Sequence, residues 1–206
     1  MALSTFVKIG GITNLSDARY CAGMYVDVLG FCLEESSEKF VHPTQFEEIT
    51  GWVSGTELAA EFETEEADYI LQKLEKYPNI SWIQHQRLET LVDLADSGKN
   101  LIYEVNVNEL KHLEAQVADR LANLDIFMLI RGPHDKLTKE EEAIILKVTG
   151  QASVILGSGI SEFNVKSLVS ELKLYGIALE GGEEIKPGLK DFDELADILE
   201  ELEVED

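Results

Sequence analysis

Apolar and polar positions along the chain follow two alternating rhythms. Short, mostly apolar runs recur at 5–10, 26–33, 57–62, 80–85, 100–107, 125–130, 153–156 and 176–179. Each is bounded by glycine, proline or charged residues and predicts a strand. Between them lie segments with apolar residues at helical spacing: 15–23, 43–51, 63–77, 89–97, 109–123, 139–148, a stretch ending near 174, and 191–202. Ile70, Leu71 and Leu74 share one face of the third such segment. Pro43 suits the first turn of the second, where its missing N–H costs nothing. Asn14 or Ser16 can cap the first, accepting a bond from a free helix N–H. The run Ile126-Phe-Met-Leu-Ile130 is continuous, as in a strand buried on both faces.

Eight strand–helix units in 206 residues predict an α/β fold, a single (β/α)8 TIM barrel. That length is near the lower end for such barrels, about 200 residues. A doubly wound open sheet is the main competitor. It would carry a glycine-rich dinucleotide fingerprint after the first strand, and Gly10-Gly11 lacks the third glycine. There is no linker or boundary, so one domain is expected over 1–206.

Charge narrows the partners. With 40 acidic and 17 basic residues the formal net charge is −23. Such a surface repels nucleic acid backbones and anionic membranes, so neither is expected as a partner. No apolar run approaches the roughly 18 residues of a bilayer span. The N-terminus lacks the basic-then-apolar pattern of a signal peptide. Cys21 and Cys32 make no disulfide framework, and a cytoplasmic protein, monomer or homodimer, is the simplest expectation.

In a barrel the chemistry lies where strands end at their C-terminal side. With Lys8 and Gly10 facing inward, the other strand ends offer Cys32, His85, Glu104, Asn106, Ser158 and Glu180. Cys32 can serve as a base or as a small apolar filler. His85 titrates near neutrality and is a candidate proton carrier; its other reading is a histidine held by neighbours. A buried Lys8 ammonium needs a partner, with Glu104 or Glu180 expected, as a structural pair or part of a ligand site. Arg131 and His134 offer positive charge after the sixth strand. Gly157-Ser158-Gly159 offers backbone N–H groups for a phosphate. Four scattered histidines give no metal ligand set, and no cofactor is expected. Glu140-Glu141-Glu142 reads as solvated helix surface.

Several of these stretches resemble one family. Val7-Lys-Ile-Gly-Gly-Ile-Thr-Asn-Leu-Ser-Asp-Ala18 is similar to the N-terminal signature of phosphoribosylanthranilate isomerases, usually Val-Lys-Ile-Cys-Gly-Ile-Thr. Val28-Leu-Gly-Phe31 resembles the family's second strand. Ser37-Glu-Lys-Phe-Val-His-Pro43 resembles its next loop, with Lys39 where an arginine usually helps hold substrate. Ile83-Gln-His85 resembles its fourth strand. Gly157-Ser-Gly-Ile160 with Asn164-Val165 resembles its seventh loop, and Gly181-Gly-Glu183 with Pro187-Gly-Leu-Lys-Asp191 its eighth. The likeness covers both ends of the chain and is weak between about 87 and 150.

The resemblance implies an Amadori rearrangement in tryptophan biosynthesis. An acid opens a phosphorylated ribosyl anthranilate, and a base takes the proton from the neighbouring carbon. It also implies a phosphate cradle after strands seven and eight. With the strand-end reading above, Lys8, Lys39, Arg131, Gly157, Ser158, Gly159, Glu180, Gly181 and Gly182 are the expected substrate-binding residues. Cys32, as a displaced base, and His85, as a proton carrier, are the catalytic candidates from the strand ends. The family's cysteine base is replaced by Gly10. The strand end that carries its aspartate acid reads Leu129-Ile-Arg-Gly132. Glu180 stands where a small hydroxyl residue is usual. A carboxylate 4 Å from a phosphate repels it by about 4 kcal/mol in a partly screened setting. Three functions follow: an isomerase with impaired or altered catalysis, a related barrel with another small-molecule reaction, or a non-catalytic barrel binding a small anionic metabolite or a protein partner.

Overall fold

The computed structural model describes residues 2–112, 115–133, 136–181, 184–186, 189–190 and 192–204. Eight parallel strands close on themselves: β1 Phe6–Gly10, β2 Val28–Cys32, β3 Glu57–Phe62, β4 Ile80–His85, β5 Asn100–Asn106, β6 Ile126–Arg131, β7 Val154–Leu156 and β8 Gly176–Glu180. Closure comes from β1 pairing with β8, where Lys8 lies opposite Ala178 and Gly10 opposite Glu180. The helices are α1 Leu15–Gly23, α2 Pro43–Thr50, α3 Ala67–Leu74, α4 Leu88–Asp93, α5 Ala115–Asn123, α6 Lys139–Thr149, α7 Val165–Glu171 and α8 Asp193–Glu201. A small hairpin, β9 Glu184–Lys186 and β10 Leu189–Lys190, precedes α8. This is the (β/α)8 barrel expected from the alternating rhythm. No helix among the described residues is long and apolar enough to cross a membrane.

Side-chain alternation builds two separate apolar layers. Outward residues such as Val7, Ile9, Phe31, Ile83 and Ile130 pack against the helices. Inward residues Val28, Ala59, Trp82, Ile102, Leu129, Ile155 and Ala178 fill the barrel, with Phe6 and Phe127 beneath. Phe6 and Trp82 have ring centroids 5.4 Å apart, and Trp82 and Phe127 5.1 Å, so rings plug the N-terminal end.

Local chemistry sets the helix starts. Asn14 caps α1, its Oδ1 accepting the Asp17 N–H at 3.0 Å. Thr138 and Glu141 cap α6 reciprocally. The third helix starts at Ala67 rather than at residue 63. The Glu34 carboxylate accepts the Glu63 and Thr64 N–H groups, at 2.8 and 3.2 Å, and holds that segment as a loop. Residues 107–112 form a 3-10 turn ahead of α5 instead of its first turn.

Candidate active site at the barrel mouth

One step beyond the inner apolar layer, the same strand faces turn polar. Two residues past Ala59, Trp82, Ile102, Leu129 and Ala178 come Glu61, Gln84, Glu104, Arg131 and Glu180, and β1 adds Lys8. The chain thus forms a ring of charges under the mouth. Lys8 is fully buried and ion-paired to Glu61. The other Glu61 oxygen accepts the Gly11 N–H at 3.2 Å. Glu180 receives Arg131 at 2.5 Å and Lys39 at 2.8 Å. Arg131 Nε lies 3.5 Å from Glu104, which also accepts Gln84 Nε2 at 2.5 Å and Gln86 Nε2 at 3.2 Å.

These contacts separate the carboxyls electrostatically. Partial burial pushes the Glu180 carboxyl up, but Arg131 and Lys39 outweigh it and hold it below the ordinary value. Burial, with Glu61 adding to it, pushes Glu104 up despite Arg131. The bond to Glu180 holds Lys39 above the usual lysine value.

Gly10 and Gly30 make room for this ring. A Cβ at Gly10 would lie 2.9 Å from Glu61 Oε1, 3.1 Å from Arg131 Nη2 and 3.3 Å from Glu180 Oε1. A Cβ at Gly30 would overlap the Glu61 carboxylate and sit 2.7 Å from Lys8 Nζ. The space a side chain at position 10 would use is filled by the tips of three others. The remaining cavity is about 130 Å3, lined by Gly11, Cys32, Lys39, Gln84 and the charged ring. Typical small-molecule pockets run from about 300 to 1,000 Å3.

The sequence-predicted residues divide accordingly. Lys8, Lys39, Arg131 and Glu180 meet at the mouth, and Cys32 lines its wall. Lys8 takes Glu61 as its partner rather than Glu104 or Glu180. Ser158 points its hydroxyl to the Gly132 carbonyl at 2.7 Å and ties two loops together. The Gly157 and Gly181 N–H groups donate to Ile130 at 2.8 Å and Gly10 at 3.2 Å, so both are already used within the barrel. Asn106 is exposed and its side chain accepts the Asn108 N–H. His134 and Gly182 lie outside the described residues, and Gly159 is buried within the seventh loop, against Leu137.

His85 is the clear correction. Trp82 faces inward, so Gln84 does too, and His85 faces out. The inward expectation was one residue out of phase. Its ring is buried; Nε2–H donates to the Glu65 carbonyl at 2.9 Å, and Nδ1 accepts the Arg87 N–H at 2.8 Å. Protonating Nδ1 would break the second bond. Burial accordingly lowers the His85 pKa. The unfolded chain then binds this proton at higher pH than the folded one. Its contribution is complete above the ordinary histidine value, about 6.5, and is lost as pH falls toward the folded value. Urea denaturation from pH 5 to 8 is expected to show stability falling on acidification, with this residue adding a slope of up to about 1.4 kcal/mol per pH unit. His85→Gln should flatten that slope; an unchanged slope would remove His85 from the account.

Sequence reasoning missed Glu61, Gln84 and Gln86. The signal was present in Glu57-Leu-Ala-Ala-Glu-Phe62, where a second glutamate ends a strand two residues after an alanine that faces the barrel axis.

The sequence model for N-(5'-phosphoribosyl)anthranilate isomerase matches residues 7–201. The N-(5'-phosphoribosyl)anthranilate isomerase of Sulfurihydrogenibium sp. (strain YO3AOP1) is 27% identical over 197 residues, covering 92% of this chain and 94% of that protein. That of Chloroherpeton thalassium is 27% identical over 201 residues, covering 92% and 91%. Among solved structures, phosphoribosyl anthranilate isomerase from Thermotoga maritima superposes with a TM-score of 0.74 at 21% identity, over 96% of this chain and 98% of that one. A match across nearly the whole barrel, from the first strand to the last helix, settles its kinship: the chain belongs to the phosphoribosylanthranilate isomerase family.

Proposed function

We propose that this protein is a phosphoribosylanthranilate isomerase-type barrel in which the Amadori rearrangement of tryptophan biosynthesis is impaired by an altered mouth. One observation carries this reading. The position of the family's cysteine base is Gly10, and Glu61, Arg131 and Glu180 occupy the space beside it. A glycine transfers no proton. The strand end that carries the family's aspartate acid reads Leu129-Ile-Arg-Gly132, with no carboxylate, and its charged side chain is Arg131, a cation that stays protonated at any working pH. Each positioned acid–base group is worth about 10²–10⁴ in rate, so losing both lowers turnover by several orders of magnitude. A phosphorylated, carboxylate-bearing substrate would also meet Glu180, with both neighbouring cations already paired to it.

The same ion pairs favour a second reading, a barrel that binds a different small molecule, or binds without reacting. Glu180 draws Lys39 and Arg131 across the opening and leaves little volume beneath. Two free cysteines fit a reducing, cytoplasmic setting under either reading.

The test is isomerase turnover with phosphoribosylanthranilate generated in situ, for the wild type and Cys32→Ala. Turnover close to the uncatalysed rate in both is expected. Turnover at an ordinary enzymic rate would overturn the proposal. If that rate then fell with Cys32→Ala, Cys32 would be a displaced base.

A further inference from the structure

Three segments of the chain meet at one carboxylate. Glu180 is the last residue of β8, in register with Gly10, and the Gly181 N–H donates to the Gly10 carbonyl at 3.2 Å. Closure of the barrel therefore fixes its place. Arg131, at the end of β6, puts Nη1 2.5 Å from Glu180 Oε1. Lys39, in the loop after β2, puts Nζ 2.8 Å from Glu180 Oε2. Each carboxylate oxygen takes one cation, the arrangement that holds a bound oxyanion.

The backbone beneath leaves room for this group. A Cβ at Gly11 would lie 2.7 Å from Glu180 Oε2 and 3.2 Å from Lys39 Nζ, and one at Gly10 3.3 Å from Glu180 Oε1. Two successive glycines make a cradle, and the carboxylate fills it. Unlike buried Lys8, this trio is open to solvent. The Lys39 side chain is 60% exposed, that of Glu180 46% and that of Arg131 21%, so a dissolved anion can reach the same place. Against burial, Arg131 and Lys39 hold the Glu180 carboxyl below its ordinary value, and it stays charged at neutral pH.

We propose that Glu180 autoinhibits the mouth: it is an internal oxyanion that occupies the Lys39–Arg131 pair and keeps small external oxyanions out. An external carboxylate or phosphate competes with a tethered one, whose effective concentration is set by the strand that carries it. It also meets a like charge, which disfavours both at one site. The inference rests on the reading that the mouth is altered, and adds that its cations are occupied from within.

Glu180→Ala removes a group about the size of acetate. Acetate and inorganic phosphate are the probes, compared with chloride at equal ionic strength. In the variant each is expected to raise the melting temperature saturably, by several degrees at high occupancy, while the wild type shows no saturable shift over the same range. Lys39→Met added to Glu180→Ala should weaken binding by about tenfold or more, the share of one charge-assisted bond. Should Glu180→Ala not fold, Glu180→Gln keeps the side-chain volume and carries the test with phosphate. Wild-type binding as tight as the variant's, no binding by the variant, or binding that survives Lys39→Met would each overturn the inference. Wild-type isomerase turnover keeps the two readings apart. Ordinary turnover sinks the impaired-isomerase proposal whatever the variant binds. Turnover near background with no anion binding by the variant sinks only the autoinhibition.

Discussion

Gly10→Cys alone is expected to leave isomerase turnover at the wild-type level. The new Cβ would press on Glu61 Oε1 at 2.9 Å and on Arg131 Nη2 at 3.1 Å. Both contacts are to ends of flexible side chains, so the variant should fold. Its thiol would nonetheless lie among two carboxylates, with no acid opposite. Arg131→Asp alone should fail for the complementary reason, since it supplies an acid without a base. The combination Gly10→Cys, Glu61→Ala, Arg131→Asp and Glu180→Ser empties the position-10 space, places both proton-transferring groups and removes the carboxylate from the expected phosphate position. Turnover by this variant should exceed wild type by at least about 10²–10⁴. The effects are strongly non-additive, because an acid and a base acting on one substrate work as a unit. Full recovery by Gly10→Cys alone would show that the charged ring does not obstruct the chemistry.

Glu61→Ala should be the most destabilising single change at the mouth. It strips the carboxylate from a lysine that has no exposed surface. Breaking a buried pair by removing one partner costs about 3–5 kcal/mol, because the remaining charge stays desolvated. For a domain of this size that is a melting-point drop of roughly 6–20 °C. Replacing both partners, Lys8→Met with Glu61→Leu, should recover much of the loss, since no charge is then stranded. Thermal and urea denaturation of the three variants decide it. A Glu61→Ala loss below about 1 kcal/mol would mean that Lys8 finds another partner. Glu104, which already feels the Lys8 charge, is one such alternative. The quadruple variant should therefore be less damaged than Glu61→Ala, because Arg131→Asp removes a cation from the same ring.

The architecture was legible because it rests on local patterns. Eight apolar runs, each followed by an amphipathic segment, allow few arrangements other than a closed parallel barrel, and the strand positions agree to within a few residues. Helix starts were less legible. The loop before α3 is held by Glu34, which lies 29 residues away from Glu63, and no local pattern carries that bond.

At the site, chain chemistry alone showed what was missing: no proton-transferring side chain at position 10, a cation at 131 and a carboxylate at 180. It also brought Lys8, Lys39, Cys32 and Glu104 into view. Only tertiary structure decided which way each strand faced and which charges met. A strand has period two, so a shift of one residue turns His85 outward and brings Gln84 in. Partner choice is set by separation in space. Glu61 reaches Lys8 across a strand made narrow by Gly30, a contact between residues 53 apart in the chain. Residue identity determined which chemistry was absent; the closing of the barrel determined what filled the space it left.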